Sequence, residues 1–283
     1  MRLPEFEYLE PRTVADACAL LAEDPESAVF AGGTDLLVDL KVGREQYRRL
    51  VSLRRIDGLR RVEFSPVTGL VIGAMATVND VVRHEAVRTH YPGLLDAARG
   101  LAAEQVRNLA TVGGNLCRAV PCADTAPILL AHGATLRIAF PGGERTVLID
   151  DFFTGPRTTV LETGDVLVAV EVPSPEAGTG TASVRQGRRQ SLSLPLAISA
   201  AVLILDGAVC RSARIALGAV APTPIRAKDA ETLLAGKTLD EDLLEEAGEL
   251  AAAASRPIDD VRATGEYRLD LVKVLTRRAL ARA

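Results

Sequence analysis

Two glycine-rich turns about eighty residues apart constrain this chain more than any other feature: Ala31-Gly32-Gly33-Thr34-Asp35-Leu36 and Thr111-Val112-Gly113-Gly114-Asn115-Leu116. In each, an apolar run feeds a Gly-Gly step with a Thr hydroxyl beside it. Glycine lets a backbone approach a ligand closely and adopt positive φ, which turns consecutive N–H groups toward one point. A single such turn is ordinary punctuation. A pair predicts that one diphosphate is gripped from both sides by main-chain donors and hydroxyls, the grip a dinucleotide needs where no Rossmann fingerprint exists.

Other nucleotide signatures fail on inspection. Gly236-Lys237-Thr238 ends like a P-loop, but Glu231 stands where its first glycine belongs. Gly178 and Gly180 lack a third glycine and sit in what reads as a linker, Pro173-Ser174-Pro175 with Gly178-Thr179-Gly180. His84-Glu85 opens like a zinc-protease motif, but Arg88 replaces its second histidine. The cysteines Cys18, Cys117, Cys122 and Cys210 form no C-x-x-C pair and read as reduced thiols, so no metal or iron–sulfur ligand set is expected. The histidines His84, His90 and His132 have no partner spacing for a hydrolytic triad.

A net charge of −4 over 283 residues supplies no field for nucleic acid, and with 4% aromatics and no Trp there is no base-stacking platform. No apolar run is long enough to span a bilayer, and the start at Met1-Arg2-Leu3-Pro4-Glu5 does not read as a signal peptide; the expected location is cytoplasmic.

Along the chain, Thr13 with Asp16 opens a helix of about ten residues, and strands follow at Ser27 to Ala31 and Leu50 to Leu53. Leu59 to Phe64 and Gly69 to Ala74 read as a hairpin, Thr77 with Asp80 as a helix cap, and Tyr91-Pro92-Gly93 as a break before a helix reaching Leu101. Strands are expected at Thr135 to Phe140, Arg145 to Ile149 and Asp165 to Val172. Leu196 to Leu205 and Val209 to Leu217 flank Asp206-Gly207, a hairpin signal. Two helices close the chain, with Leu243, Leu244, Ala247, Leu250 and Ala251 on one face and Tyr267, Leu271, Val274 and Leu275 on another. The expected class is α+β: units 1–56 and 57–174, then 175–283 with strands before helices.

Val106-Arg107-Asn108-Leu109-Ala110-Thr111-Val112-Gly113-Gly114-Asn115-Leu116, followed by Pro121 and Asp124, resembles the flavin-binding subunit of the molybdenum hydroxylases, a family that includes xanthine dehydrogenase and aerobic carbon monoxide dehydrogenase. The resemblance extends to Ala31-Gly32-Gly33-Thr34-Asp35-Leu36, to Gly218-Ala219-Val220-Ala221-Pro222-Thr223-Pro224, and to Asp259-Asp260-Val261-Arg262-Ala263-Thr264-Gly265-Glu266-Tyr267-Arg268. It implies two N-terminal subdomains of the vanillyl-alcohol oxidase and p-cresol methylhydroxylase type, with a C-terminal antiparallel sheet and helices. It implies FAD held by Val29, Phe30, Ala31, Gly32, Gly33, Thr34, Asp35 and Leu36 in a first loop, and by Thr111, Val112, Gly113, Gly114 and Asn115 in a second; neither loop nor its flanks offers a His or Tyr beside a plausible isoalloxazine site, so the FAD is expected to be non-covalent. Asp124, Leu101, Leu167 and Arg185 match further FAD contacts, for which the plain alternatives are a solvated helix-start carboxylate, core leucines and a surface charge.

The implied partners are a large subunit carrying a molybdenum cofactor and a small one carrying two [2Fe–2S] clusters, in a heterotrimer that pairs into a dimer. Electrons would pass from the clusters to FAD and on to NAD+, a quinone or oxygen. One departure stands out: Arg188-Arg189-Gln190-Ser191-Leu192-Ser193-Leu194 has no aromatic where many relatives do, which leaves flavin shielding and the acceptor open. A stand-alone FAD oxidoreductase on the same scaffold is the alternative. It would need acid–base residues on a cap domain, for which the last third of the chain offers little room. A flavin-free scaffold or nucleotide-sensing module is a third reading.

Overall fold

The structure, a computed structural model, describes residues 3–283. Its first sheet is parallel, in the order β1-β3-β2, with β1 (Glu7–Leu9), β2 (Ser27–Phe30) and β3 (Arg49–Ser52). α1 (Val14–Glu23) forms because Thr13 Oγ1 accepts from the Asp16 N–H at 3.0 Å, while Ala17, Cys18 and Leu21 bury one stripe. α2 (Leu36–Lys41) follows β2. β1 has no counterpart in the sequence reading, since three residues are too few to show an alternation.

The second sheet is antiparallel, β4-β5-β10-β6-β7, comprising β4 (Val62–Ser65), β5 (Gly69–Gly73), β6 (Thr135–Phe140), β7 (Gly143–Leu148) and β10 (Val166–Val172). Between β5 and β6 run α3 (Val78–Arg83), α4 (Glu85–His90), α5 (Pro92–Gly100), α6 (Glu104–Arg107), α7 (Val112–Cys117) and α8 (Ala126–His132). Thr77 and Asp80 form a reciprocal capping box on α3. A short hairpin of β8 (Phe153–Gly155) and β9 (Thr158–Thr159) precedes β10.

The third sheet contains β11 (Thr179–Gly187), β12 (Pro195–Asp206), β13 (Val209–Gly218) and β14 (Ile225–Arg226), with β15 (Lys237–Thr238) on β13. Helices α9 (Lys228–Leu234), α10 (Glu241–Ala254) and α11 (Gly265–Arg282) share a core with one face. Ala200, Val202 and Ala216 join the core of the second unit on the other. Covered on both sides, β12 is buried from Pro195 to Leu203, which is why its sequence is a continuous apolar run rather than an alternation.

Two expectations are corrected here. Gly178-Thr179-Gly180 is not linker: Thr179 begins β11, and a Cβ on Gly180 would overlap the Ala283 carbonyl oxygen, so this glycine serves the packing of α11. On α11 the buried face is Arg268, Val272, Leu275, Thr276, Ala279 and Leu280, while Tyr267 and Val274 are exposed. The face turned because Arg268 is an anchor, donating to the Leu196 carbonyl at 2.6 Å and pairing with Asp260 at 2.9 Å. Among the described residues, no helix is long and apolar enough to cross a membrane.

Candidate functional site

The two Gly-Gly segments touch. A Cβ on Gly32 would overlap the carbonyl oxygen of Leu109, two residues before Thr111, so the absence of a side chain lets one backbone lie on the other. The first loop turns through Gly33 at φ +70° and enters α2. Among the described residues, no backbone acceptor takes the N–H groups of Gly32, Gly33, Thr34, Asp35 or Leu36; the carbonyls of Gly33 and Asp35 begin the helix instead. Five consecutive N–H groups thus have no backbone acceptor where the loop enters α2.

The second segment differs from its expected form. It is the capped first turn of α7, with no residue at positive φ, and its N–H groups from Val112 to Asn115 are taken. The N–H groups of Val112 and Gly113 donate to Ala76 and Ala74, that of Gly114 to Thr111 Oγ1 at 3.0 Å, and that of Asn115 to the Thr111 carbonyl. The main-chain donors of this segment are thus turned inward, while the Thr111 hydroxyl, which accepts in the cap, keeps its own O–H to donate. A Cβ on Gly113 would meet the Ala74 backbone at 2.6 Å, so that glycine is a packing requirement. A Cβ on Gly114 would meet only Thr111 Oγ1, at 2.9 Å, and otherwise open space.

From Asn115 a chain of polar contacts crosses to the third sheet. Asn115 Oδ1 accepts from Thr125 Oγ1 at 2.6 Å, and the adjacent Asp124 lies 2.9 Å from Arg185 Nε. That contact is out of line for a hydrogen bond, so charge rather than directionality holds the pair. Arg185 donates to the Gly100 carbonyl at 2.6 Å and the Ser193 carbonyl at 2.5 Å. Asp124 is buried and Arg185 mostly so; neither is the solvated charge of the plain alternative. Leu101 and Leu167 lie in one core with Val112 and are 6% and 4% exposed, which is the plain alternative of core leucines. Val29 is exposed, and Phe30 turns to stack edge-on against Tyr8 at 5.8 Å. Asp35 is exposed and makes no side-chain cap. Two surface recesses of these units lie elsewhere, along Leu9–Pro11 and beside Asp57–Leu59.

Burial pushes the Asp124 carboxyl up to about 6, with Arg185 pulling against it. Its folded value is therefore above its unfolded one, near 4, and folding takes up a proton in between. The stability that Asp124 contributes is complete below pH ~4 and is lost as pH rises through ~6, about 3 kcal/mol in all. Asp124→Asn keeps the neutral shape, so the flavin-free variant is expected to melt above wild type at pH ~7.5 and together with it at pH ~3.5. Thermal melts at the two pH values check this; a variant that melts lower at pH ~7.5 contradicts the sign.

Several supports were given no individual role by the sequence, although Arg107, Asn108 and Leu192 lie in segments it singled out. Arg107 Nη1 donates to the Leu101 carbonyl at 2.9 Å while its Nε donates to Asn79 Oδ1 at 3.3 Å, and buried Asn79 holds Asn108 at 2.6 Å. Ala102 and Leu192 both stand at positive φ, 47° and 51°, and are joined by Leu192 N–H to the Ala102 carbonyl at 3.3 Å. Such backbone costs about 1 kcal/mol or more per residue, so the contacts around Leu101 over-determine it.

Comparison with known proteins now adds to this geometry. Residues 4–175 match the family model of the FAD binding domain in molybdopterin dehydrogenase, and residues 182–283 that of the CO dehydrogenase flavoprotein C-terminal domain. The chain is 34% identical over 277 residues to the xanthine dehydrogenase FAD-binding subunit of Escherichia coli, covering 98% of this chain and 95% of that one. It is equally identical over 278 residues to the carbon monoxide dehydrogenase medium chain of Hydrogenophaga pseudoflava, with 98% and 96% covered. Among solved structures it is similar to carbon monoxide dehydrogenase from Hydrogenophaga pseudoflava (TM-score 0.96, 35% identity, covering 100% and 98%). It is also similar to quinoline 2-oxidoreductase from Pseudomonas putida 86 (TM-score 0.93, 34% identity, covering 100% and 98%). A mixed α/β fold with a touching, donor-rich glycine loop thus coincides with likeness over the whole length, and the chain belongs to the FAD-binding medium subunits of the molybdenum hydroxylase family, as an oxidoreductase subunit of the xanthine dehydrogenase and carbon monoxide dehydrogenase type.

Proposed function

We propose that this chain holds FAD non-covalently along the cleft between its two glycine segments and carries electrons from a partner's clusters to an external acceptor. The observation that carries the reading is the run of five N–H groups from Gly32 to Leu36 that no backbone carbonyl takes, in a loop that rests on the Leu109 carbonyl just ahead of the second glycine segment. Diphosphate oxygens suit that donor run. Val29, Phe30, Ala31, Gly32, Gly33, Thr34, Asp35 and Leu36 form one wall of the site. Thr111, Val112, Gly113, Gly114 and Asn115 form the other, with Leu101 and Leu167 as the floor and the Asp124–Arg185 pair at the far end. With its main-chain N–H groups taken, the second segment contributes shape, the Thr111 O–H and the Asn115 amide.

Bound FAD would supply the exchange between two-electron and one-electron chemistry, and the protein supplies grip and electrostatics. The scaffold is assigned to the vanillyl-alcohol oxidase and p-cresol methylhydroxylase type, with subdomains 1–56 and 57–174 and a C-terminal domain 175–283. Separate sheets in the three segments and the limits of the two family models support that division. The partners are a large molybdenum-cofactor subunit and a small subunit with two [2Fe–2S] clusters, in a cytoplasmic dimer of heterotrimers. The acceptor is NAD+, a quinone or oxygen.

No His, Tyr or Cys stands among the site residues, and burial pushes the neighbouring Cys117 thiol up to about 12 and raises that of Cys122, so neither supplies a thiolate for a flavin bond. Acid precipitation is expected to release all yellow colour into the supernatant. Colour kept in the pellet would mean a covalent link and overturn the non-covalent reading.

A further inference from the structure

A buried carboxylate that faces no cleft ties the two glycine segments together from behind. Asp39 lies in α2, one turn beyond the first loop, and its side chain is 5% exposed. Three arginines converge on it. Arg118 pairs with its Oδ2, Arg157 Nη1 lies 3.2 Å from the same oxygen, and Arg44 Nη1 lies 3.1 Å from Oδ1. Arg118 is the C-cap of α7, the helix whose first turn is the second glycine segment, and its Nη1 donates to Glu45 at 2.6 Å. Arg157 sits in the β8–β9 turn at φ +63°, with its N–H donating to the carbonyl of Ala119 at 2.8 Å.

A second contact between the first two units is of another kind. Along α1, Ala17, Cys18, Leu21, Val51 and Leu53 share an apolar core with Ala139, Val166 and Val168. The first unit is thus held on its α1 side by apolar packing, and on its α2 side by charge at Asp39 together with the Gly32 backbone lying on Leu109. Burial and the nearby Arg157 both press the Arg118 guanidinium below its ordinary value, so the two cations need the carboxylate between them.

We propose that Asp39 is a positioning residue for the cofactor site: by pairing with Arg118 and Arg157 it fixes α2 against α7 and sets the width of the cleft between Gly32–Leu36 and Gly114–Asn115. Asp39 itself touches no ligand. The proposal rests on the FAD reading for its binding readout, and on backbone geometry alone for its second readout.

The test uses the full chain, titrated with FAD after flavin removal, together with amide hydrogen exchange of the flavin-free proteins. Asp39→Asn is expected to raise the FAD dissociation constant by roughly tenfold or more, and Arg157→Ala, at a half-exposed position that folding tolerates, by a smaller factor. Exchange should quicken in residues 31–41 and 111–118 and stay unchanged in β6, β10 and the third sheet. Asp39→Glu should recover part of the affinity. An Asp39→Asn protein with wild-type affinity and wild-type exchange in these segments overturns the proposal. If Asp39→Asn does not fold, unchanged affinity and exchange in Arg157→Ala overturn it equally. A wild-type chain that binds no FAD sinks the functional reading instead, and the exchange comparison still decides the role of Asp39.

Discussion

Gly114→Ala is expected to leave the purified chain largely without flavin while it melts no lower than wild type. Position 114 is in the first turn of α7, where alanine is favoured over glycine by about 1 kcal/mol. The added methyl meets only Thr111 Oγ1, at 2.9 Å, which a small hydroxyl shift relieves. Everything else around it is open, and in the proposed site that open side is a wall of the FAD cleft. Forcing a methyl into a close-packed ligand contact costs about 1–3 kcal/mol, or roughly ten- to a hundredfold in affinity. Flavin absorbance per chain and a melting curve check the pair of effects. Full flavin occupancy in the variant would mean that the second segment is purely structural.

Gly32→Ala is expected to lose both flavin and stability. Its Cβ has no room, overlapping the Leu109 carbonyl oxygen and lying 3.2 Å from Ala110 Cα. Leu109 and Ala110 cannot yield freely. Their N–H groups donate to the Val106 carbonyl, and the Ala110 carbonyl accepts from Val78 at 2.9 Å. The first loop must therefore lift away, with an overpacking cost of about 1–3 kcal/mol and a fall in Tm of roughly 3–10 °C. Calorimetry and flavin content check it. A variant with wild-type Tm would show that the loops do not rest on each other.

The contrast between these glycines marks what was legible in the sequence. Both segments could be recognised from their residues, but that Gly32 serves loop contact, Gly113 the Ala74 backbone and Gly114 open space depends on partners some eighty to forty residues away. Local signals read accurately: the caps at Thr13 and Thr77, and the β12–β13 hairpin at Asp206-Gly207, are set by neighbours in sequence. The helical turn at Val112-Gly113-Gly114 was not legible, because glycine there argues against helix and only the Thr111 cap and the β5–α3 backbone impose it. Asp124 and Arg185 each stood out singly, whereas their pairing needs the third sheet to fold over α5. Asp39 and Arg157, 118 residues apart, gave no sign at all, since ion pairs leave no periodicity.

The central claim is that this polypeptide is an electron carrier which depends on partners for substrate chemistry. No group of three His, Cys, Asp or Glu side chains among the described residues is placed to hold a metal. The claim is tested most directly on the isolated, FAD-loaded subunit. Its flavin is reduced with dithionite and then offered acceptor dyes, and in parallel the oxidised subunit is offered purines, aldehydes and carbon monoxide. The account predicts rapid reoxidation by the dyes and no turnover of any of the organic or gaseous substrates. Substrate turnover by this chain alone would contradict it and establish a stand-alone FAD oxidoreductase.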